Sequence, residues 1–67
     1  MKPITFSEAE RLVRAHGWVL HHIKGSHYIY RKAGEMGVVV IPHHPGNLPV
    51  GTQMSIMKTA GITREEL

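Results

Sequence analysis

Six of the 67 residues are histidine, while cysteine and aspartate are both missing, so imidazole carries most of the chemistry open to this chain. The absence of thiols removes disulfides, thiolate zinc sites, iron–sulfur clusters and cysteine nucleophiles together. The imidazoles are His16, the pair His21 and His22, His27, and the pair His43 and His44. Neighbouring residues of a strand point to opposite faces, so each pair offers one imidazole per face, and no HxH or HxxxH spacing occurs. A site joining His22 to His43 or His44 across a sheet would need a carboxylate that no nearby stretch supplies. No metal and no cofactor are expected. His16 reads as a helix-end residue whose protonated form suits the C-terminal dipole.

His27 differs in its setting, Ile23-Lys24-Gly25-Ser26-His27-Tyr28. Gly25 lets a phosphate backbone come close, Ser26 and its amide can donate to a phosphate oxygen, and Lys24 supplies charge. Imidazole is the side chain whose ordinary proton affinity suits proton transfer near neutrality. Cleavage of RNA by its own 2′-hydroxyl asks for these groups: a base, charge to stabilise the phosphorane, and an acid for the leaving 5′-oxygen. No carboxylate pair is present to hold the ions of a two-metal nuclease. The second proton-transfer group would be Tyr28, His22, Lys24 or water. A turn histidine that only contacts backbone fits the same residues, and residue types alone leave both readings open.

The elements that must position this turn follow from the pattern. Thr5 with Glu8 forms a capping box, and Phe6, Ala9, Leu12, Val13 and His16 recur at helical spacing up to Gly17, which predicts a helix over 6–16. Arg11 and Arg14 lie off its apolar stripe. Residues 18–24 read as a strand with Trp18, Leu20, His22 and Lys24 on one face and Val19, His21 and Ile23 on the other. Gly25 and Ser26 turn the chain into a second strand over 27–32, where Tyr28 and Tyr30 share a face and His27 has the other. The tyrosines either pack in the core, as strand aromatics more often do, or stack unpaired bases. Gly34 to Gly37 turn it again into Val38–Ile41, which Pro42 ends. Pro49 suits the first turn of a second helix whose buried stripe is Ile56, Met57 and Ala60. Gly61 closes that helix, and Thr63 with Glu66 repeats the capping box for a last short turn. The order is αβββα: one α+β domain over 1–67, a three-stranded antiparallel sheet with two helices on one face and the other face left for function.

Composition agrees with a single folded unit, 42% hydrophobic and 19% charged. Eight Lys and Arg against five acids give a net charge of +3 with histidine neutral, and residues 11–32 carry five basic groups and no acid. An anionic partner such as nucleic acid is favoured. No apolar run reads as a signal peptide or membrane span, so a cytoplasmic location is expected and no membrane contact.

Several segments together resemble the HicA family, the small ribonuclease toxins of type II toxin–antitoxin pairs. They are Gly17-Trp18 after helix one, Gly25-Ser26-His27, Ile41-Pro42-His43-His44-Pro45-Gly46, and the run from Gly51 and Thr52 through Ile56 and Lys58 to Ala60-Gly61-Ile62. The resemblance covers nearly the whole chain. It implies a fold similar to double-stranded RNA-binding domains and an mRNA interferase in which His27 is catalytic. It also implies a HicB-type antitoxin that blocks the active site, with DNA contacted only indirectly through that antitoxin. Lys24, Gly25, Ser26, Arg31 and His44 would then bind the RNA. Two positions depart from the family pattern. His43 stands where a basic residue is common, leaving His44 as the match. Gln53 stands where an apolar residue is common, which predicts either an exposed position or a less tightly docked second helix. The alternative is a non-catalytic RNA-binding module of the same fold that reads phosphates and 2′-hydroxyls by shape.

Overall fold

The computed structural model describes residues 1–67, in the order α1 (Phe6–Ala15), β1 (Val19–Lys24), β2 (His27–Arg31), β3 (Val39–Pro42) and α2 (Val50–Ala60), followed by a 3₁₀ turn (Arg64–Glu66). The strands form one antiparallel sheet in the order β1-β2-β3. Both helices pack on one side of it, as the pattern predicts.

α1 starts where Thr5 accepts from the Glu8 amide while Glu8 accepts from the Thr5 amide at 3.0 Å, so two orphan donors satisfy each other's residues. Ala9, Leu12 and Val13 form its buried face. Its end is set by Gly17, whose φ of 89° only glycine adopts freely. Trp18 follows at 2% exposure, its indole N–H buried without an acceptor. α2 begins at Val50, with Pro49 just outside it as the N-cap and not within its first turn. It closes at Gly61, where the Ile62 amide donates back to the Met57 carbonyl. The second capping box, Thr63 with Glu66, is present, and Glu66 also bonds His16 at the end of α1.

The core lies between helices and sheet and joins Ile4, Leu12, Val13, Trp18, Tyr30, Val39, Ile41, Ile56 and Met57 among its 13 buried apolar residues. One polar residue is sealed in with them. Gln53 is 1% exposed, accepting from the Ile4 amide at 3.2 Å and donating to the Lys2 carbonyl at 2.6 Å. This corrects the expectation of an exposed Gln53 or a loosened α2. The amide is buried because the N-terminal segment brings it a donor and an acceptor, and the two bonds fasten that segment to the helix.

A second correction concerns β1. Its pairing with β2 runs Val19↔Arg31 and Leu20↔Tyr30, then His22↔Ile29, Ile23↔Tyr28 and Lys24↔His27, with a bulge at His21. Simple alternation would keep Leu20, His22 and Lys24 on one face. The extra residue splits them: Leu20 faces inward beside Tyr30, while His22 and Lys24 face outward with His27. The bulge also lets the two imidazoles meet, with Nδ1 of His21 and of His22 2.7 Å apart, instead of diverging to opposite faces.

Candidate active site

His27 is the first residue of β2 and is exposed. The two-residue turn before it has Gly25 at φ 60° and Ser26 at negative φ, the II′ pattern that favours glycine in first place. The Ser26 carbonyl accepts from the His43 amide at 2.8 Å, so the turn is strapped to the end of β3. Pro42 lies directly across from His27 and has no N–H to add to the ladder. Three strand ends thus fix the backbone that carries this imidazole.

Side chains opposite one another in an antiparallel pair share a face. The outer face therefore carries Val19, His22 and Lys24 from β1, His27, Ile29 and Arg31 from β2, and Val40 and Pro42 from β3. No acid lies on any strand. Three of the five acids are engaged elsewhere: Glu8 in its capping box, Glu10 with Tyr30 and Arg14, Glu66 with Thr63 and His16. Hydrogen bonds from the Thr5 amide and then its hydroxyl hold the Glu8 carboxyl below the usual range, and the Thr63 amide followed by His16 does the same for Glu66. The charged strand residues of the outer face are thus basic, Lys24 and Arg31.

His27 also lines a cleft of about 400 Å³, whose walls are His27, Val40 and Pro42 from the sheet and Gly51, Thr52 and Ser55 from α2. Residues three and four apart share a helix face, so the α2 trio looks away from the buried stripe of Gln53, Ile56, Met57 and Ala60. Sequence reasoning gave these three no role. The signal was there in two hydroxyls and a glycine on the polar side of α2, but nothing local says that this side meets His27.

Of the other expected site residues, Lys24 is the cross-strand partner of His27 and shares its face, and Gly25 and Ser26 form the adjoining turn. Arg31 is exposed at the far end of β2, about 13 Å along the strand from His27 at the usual rise per residue. His44 is half-buried, its Nδ1 2.8 Å from the Pro45 carbonyl, and does not line the cleft. Tyr28 drops out as a proton-transfer partner, because it faces the helices with its ring 4.8 Å from Phe6 and 5.3 Å from His43. His22 and His43 lie on opposite sides of the sheet, and no three His or Glu side chains gather as a metal would require.

A search of the curated proteins found no match. No helix is long and apolar enough to cross a membrane. The family model described as the HicA toxin of bacterial toxin–antitoxin systems matches residues 6–62, a span that holds the whole sheet, both helices and every wall of the cleft. By that match and the αβββα fold beneath it, the chain belongs to the HicA toxin family.

Proposed function

We propose that this toxin is an endoribonuclease that cleaves mRNA without a metal, with His27 as its catalytic residue. The observation that carries the reading is the exposed His27 imidazole, set in a cleft at the edge of an acid-free sheet face. In the reaction His27 takes the proton of a ribose 2′-hydroxyl, the 2′-oxygen bonds to the adjacent phosphorus, and the bond from phosphorus to the 5′-oxygen breaks. The leaving oxygen takes its proton from Lys24 or His22, which share the face of His27, or from water. The products are a 2′,3′-cyclic phosphate and a 5′-hydroxyl.

Lys24 stabilises the extra charge on phosphorus from across the strand pair, and the Gly25–Ser26 turn admits the backbone closely. Arg31, about 13 Å along the strand from His27, and His44, which does not line the cleft, contact flanking nucleotides. The natural partner is an antitoxin of the HicB type, which covers the cleft and the cationic face in the cytoplasm and itself makes any contact with DNA.

The test is His27→Ala, assayed on labelled RNA in EDTA and for growth arrest. The variant is expected to fold and to bind its antitoxin, with cleavage slowed by about 10²–10⁴-fold, the usual contribution of a positioned acid or base. Wild-type protein that retards RNA but leaves it intact would establish a non-catalytic RNA binder. A variant as toxic as wild type would remove His27 from the mechanism.

A further inference from the structure

The cleft has two unlike walls. On the sheet side stand the His27 imidazole and the apolar surfaces of Val40 and Pro42; on the helix side stand Gly51 and the hydroxyl residues Thr52 and Ser55. Neither hydroxyl bonds to any other group of the protein, which is also true of Ser7, Ser26, Tyr28 and Thr59, but only Thr52 and Ser55 place theirs in the cleft. Thr52 is half-buried and Ser55 exposed, and their spacing of three residues sets both on one face. At Gly51 the wall borders open space: a Cβ built there meets nothing within 4 Å. The wall is hydroxyl-bearing, uncharged and free of internal partners, and it stands opposite an imidazole.

We infer that Thr52 and Ser55 hold the scissile phosphodiester of the RNA, donating their hydroxyl protons to its non-bridging oxygens from the side opposite His27. The inference rests on the nuclease reading above and adds to it the groups that fix the phosphate. A base that removes the 2′-proton is effective only if the phosphorus is held in line with the attacking oxygen. Lys24 attracts the phosphate but, as a point charge on a flexible stem, does not orient it. Two hydroxyls on one rigid helix face do, and they strengthen as charge gathers on those oxygens in the phosphorane. The apolar wall of Val40 and Pro42 then lies against the sugar or base of a single unpaired nucleotide, which makes single-stranded RNA the preferred substrate.

The experiment compares wild type, Thr52→Val, Thr52→Ser, Ser55→Ala, the Thr52→Val/Ser55→Ala double variant and His27→Ala on a short single-stranded RNA. Each is also tested with sulfur replacing a non-bridging oxygen at the scissile phosphate, and folding is checked by circular dichroism. The double variant is expected to lose about 10- to 100-fold in kcat/KM, the size of charge-assisted hydrogen bonds. Thr52→Ser, which keeps the hydroxyl, retains most of the rate. Sulfur accepts hydrogen bonds poorly, so it slows wild type more than the double variant, a difference that a purely structural role for these residues would not produce. A folded double variant with wild-type rate and wild-type sulfur sensitivity, beside an inert His27→Ala, would overturn this inference and leave the nuclease reading standing. A His27→Ala protein that still cleaves would overturn the nuclease reading first, and this inference with it.

Discussion

Along β2 the side chains divide. Tyr28 and Tyr30 turn toward the helices, His27, Ile29 and Arg31 turn away, and it is the inward pair that neighbouring side chains tie down. Tyr30 is fully buried, its hydroxyl donating to Glu10 at 2.6 Å, with Arg14 bonded to the same carboxylate and lying over the ring. Burial and then the bond to Glu10 push the Tyr30 hydroxyl well above its ordinary value. Outward, His27 has Lys24 and Pro42 as cross-strand neighbours and an open cleft beside it. Two residues of one strand, three positions apart, thus serve separate ends. Stability is concentrated on one face, so the other can keep unpaired cations and a free imidazole.

The largest test of that division is Tyr30→Ala. Truncating a buried aromatic costs about 3–5 kcal/mol. A domain of this size has a net stability of about the same amount. The variant is therefore expected to be mostly unfolded at 25 °C by circular dichroism, whereas His27→Ala should shift stability by less than about 0.5 kcal/mol, as exposed sites do. Comparable losses from the two would end the comparison.

Next in size is Gln53→Leu, which keeps the volume but leaves the Ile4 amide and Lys2 carbonyl unpaired. Each buried unsatisfied group costs about 1–3 kcal/mol. The measurement is hydrogen exchange at the Ile4 amide, which should speed up by at least about tenfold for each 1.4 kcal/mol lost. Tyr30→Phe keeps the ring and loses the bond to Glu10, worth about 1.5–3 kcal/mol. It also separates the alkaline behaviour. A hydroxyl whose proton is held more tightly in the folded state contributes stability that is complete below its unfolded value near pH 10 and is lost as pH rises through the folded one. Wild type should melt at lower temperature above about pH 10, and Tyr30→Phe should lack that dependence.

The smallest effect is expected at the start of α1. Thr5→Ala removes a helix cap worth about 1 kcal/mol. The carboxyl of Glu8 is depressed in the folded state, so its contribution is present above the unfolded value near pH 4.3 and fades as pH falls through the lower folded value. Thr5→Ala should therefore flatten the acid limb of the stability profile, and leave RNA cleavage at neutral pH unchanged.

Element order, helix ends and the inward tyrosines could be read from the chain because each has a local cause: Thr5 with Glu8, Gly17, Gly25, Pro42, Gly61, and the alternation of Tyr28 with Ile29 and Tyr30. The candidate site was legible as far as it is local, in the turn geometry of Lys24 to His27. What was missed depends on partners distant in sequence. The bulge at His21 exists only in the pairing of β1 with β2, and no residue type marks it. Gln53 is a polar residue on a helix until the segment from Lys2 to Ile4, about fifty positions earlier, supplies its donor and acceptor. Thr52 and Ser55 face His27 only after three strands and a loop have brought α2 back to the edge of the sheet.

The sheet has two open margins, and both are guarded. β3 is four residues long and ends in a proline that has no amide to offer, while β1 is bent at His21 and finishes in a lysine. Short length, proline, a bulge and a terminal cation are the devices by which natural sheets refuse an incoming strand. Free copies of this toxin, released from a partner and crowded together, are thereby poor templates for amyloid-like stacking, and should remain dispersed at concentrations where a flat, unprotected three-stranded sheet would polymerise.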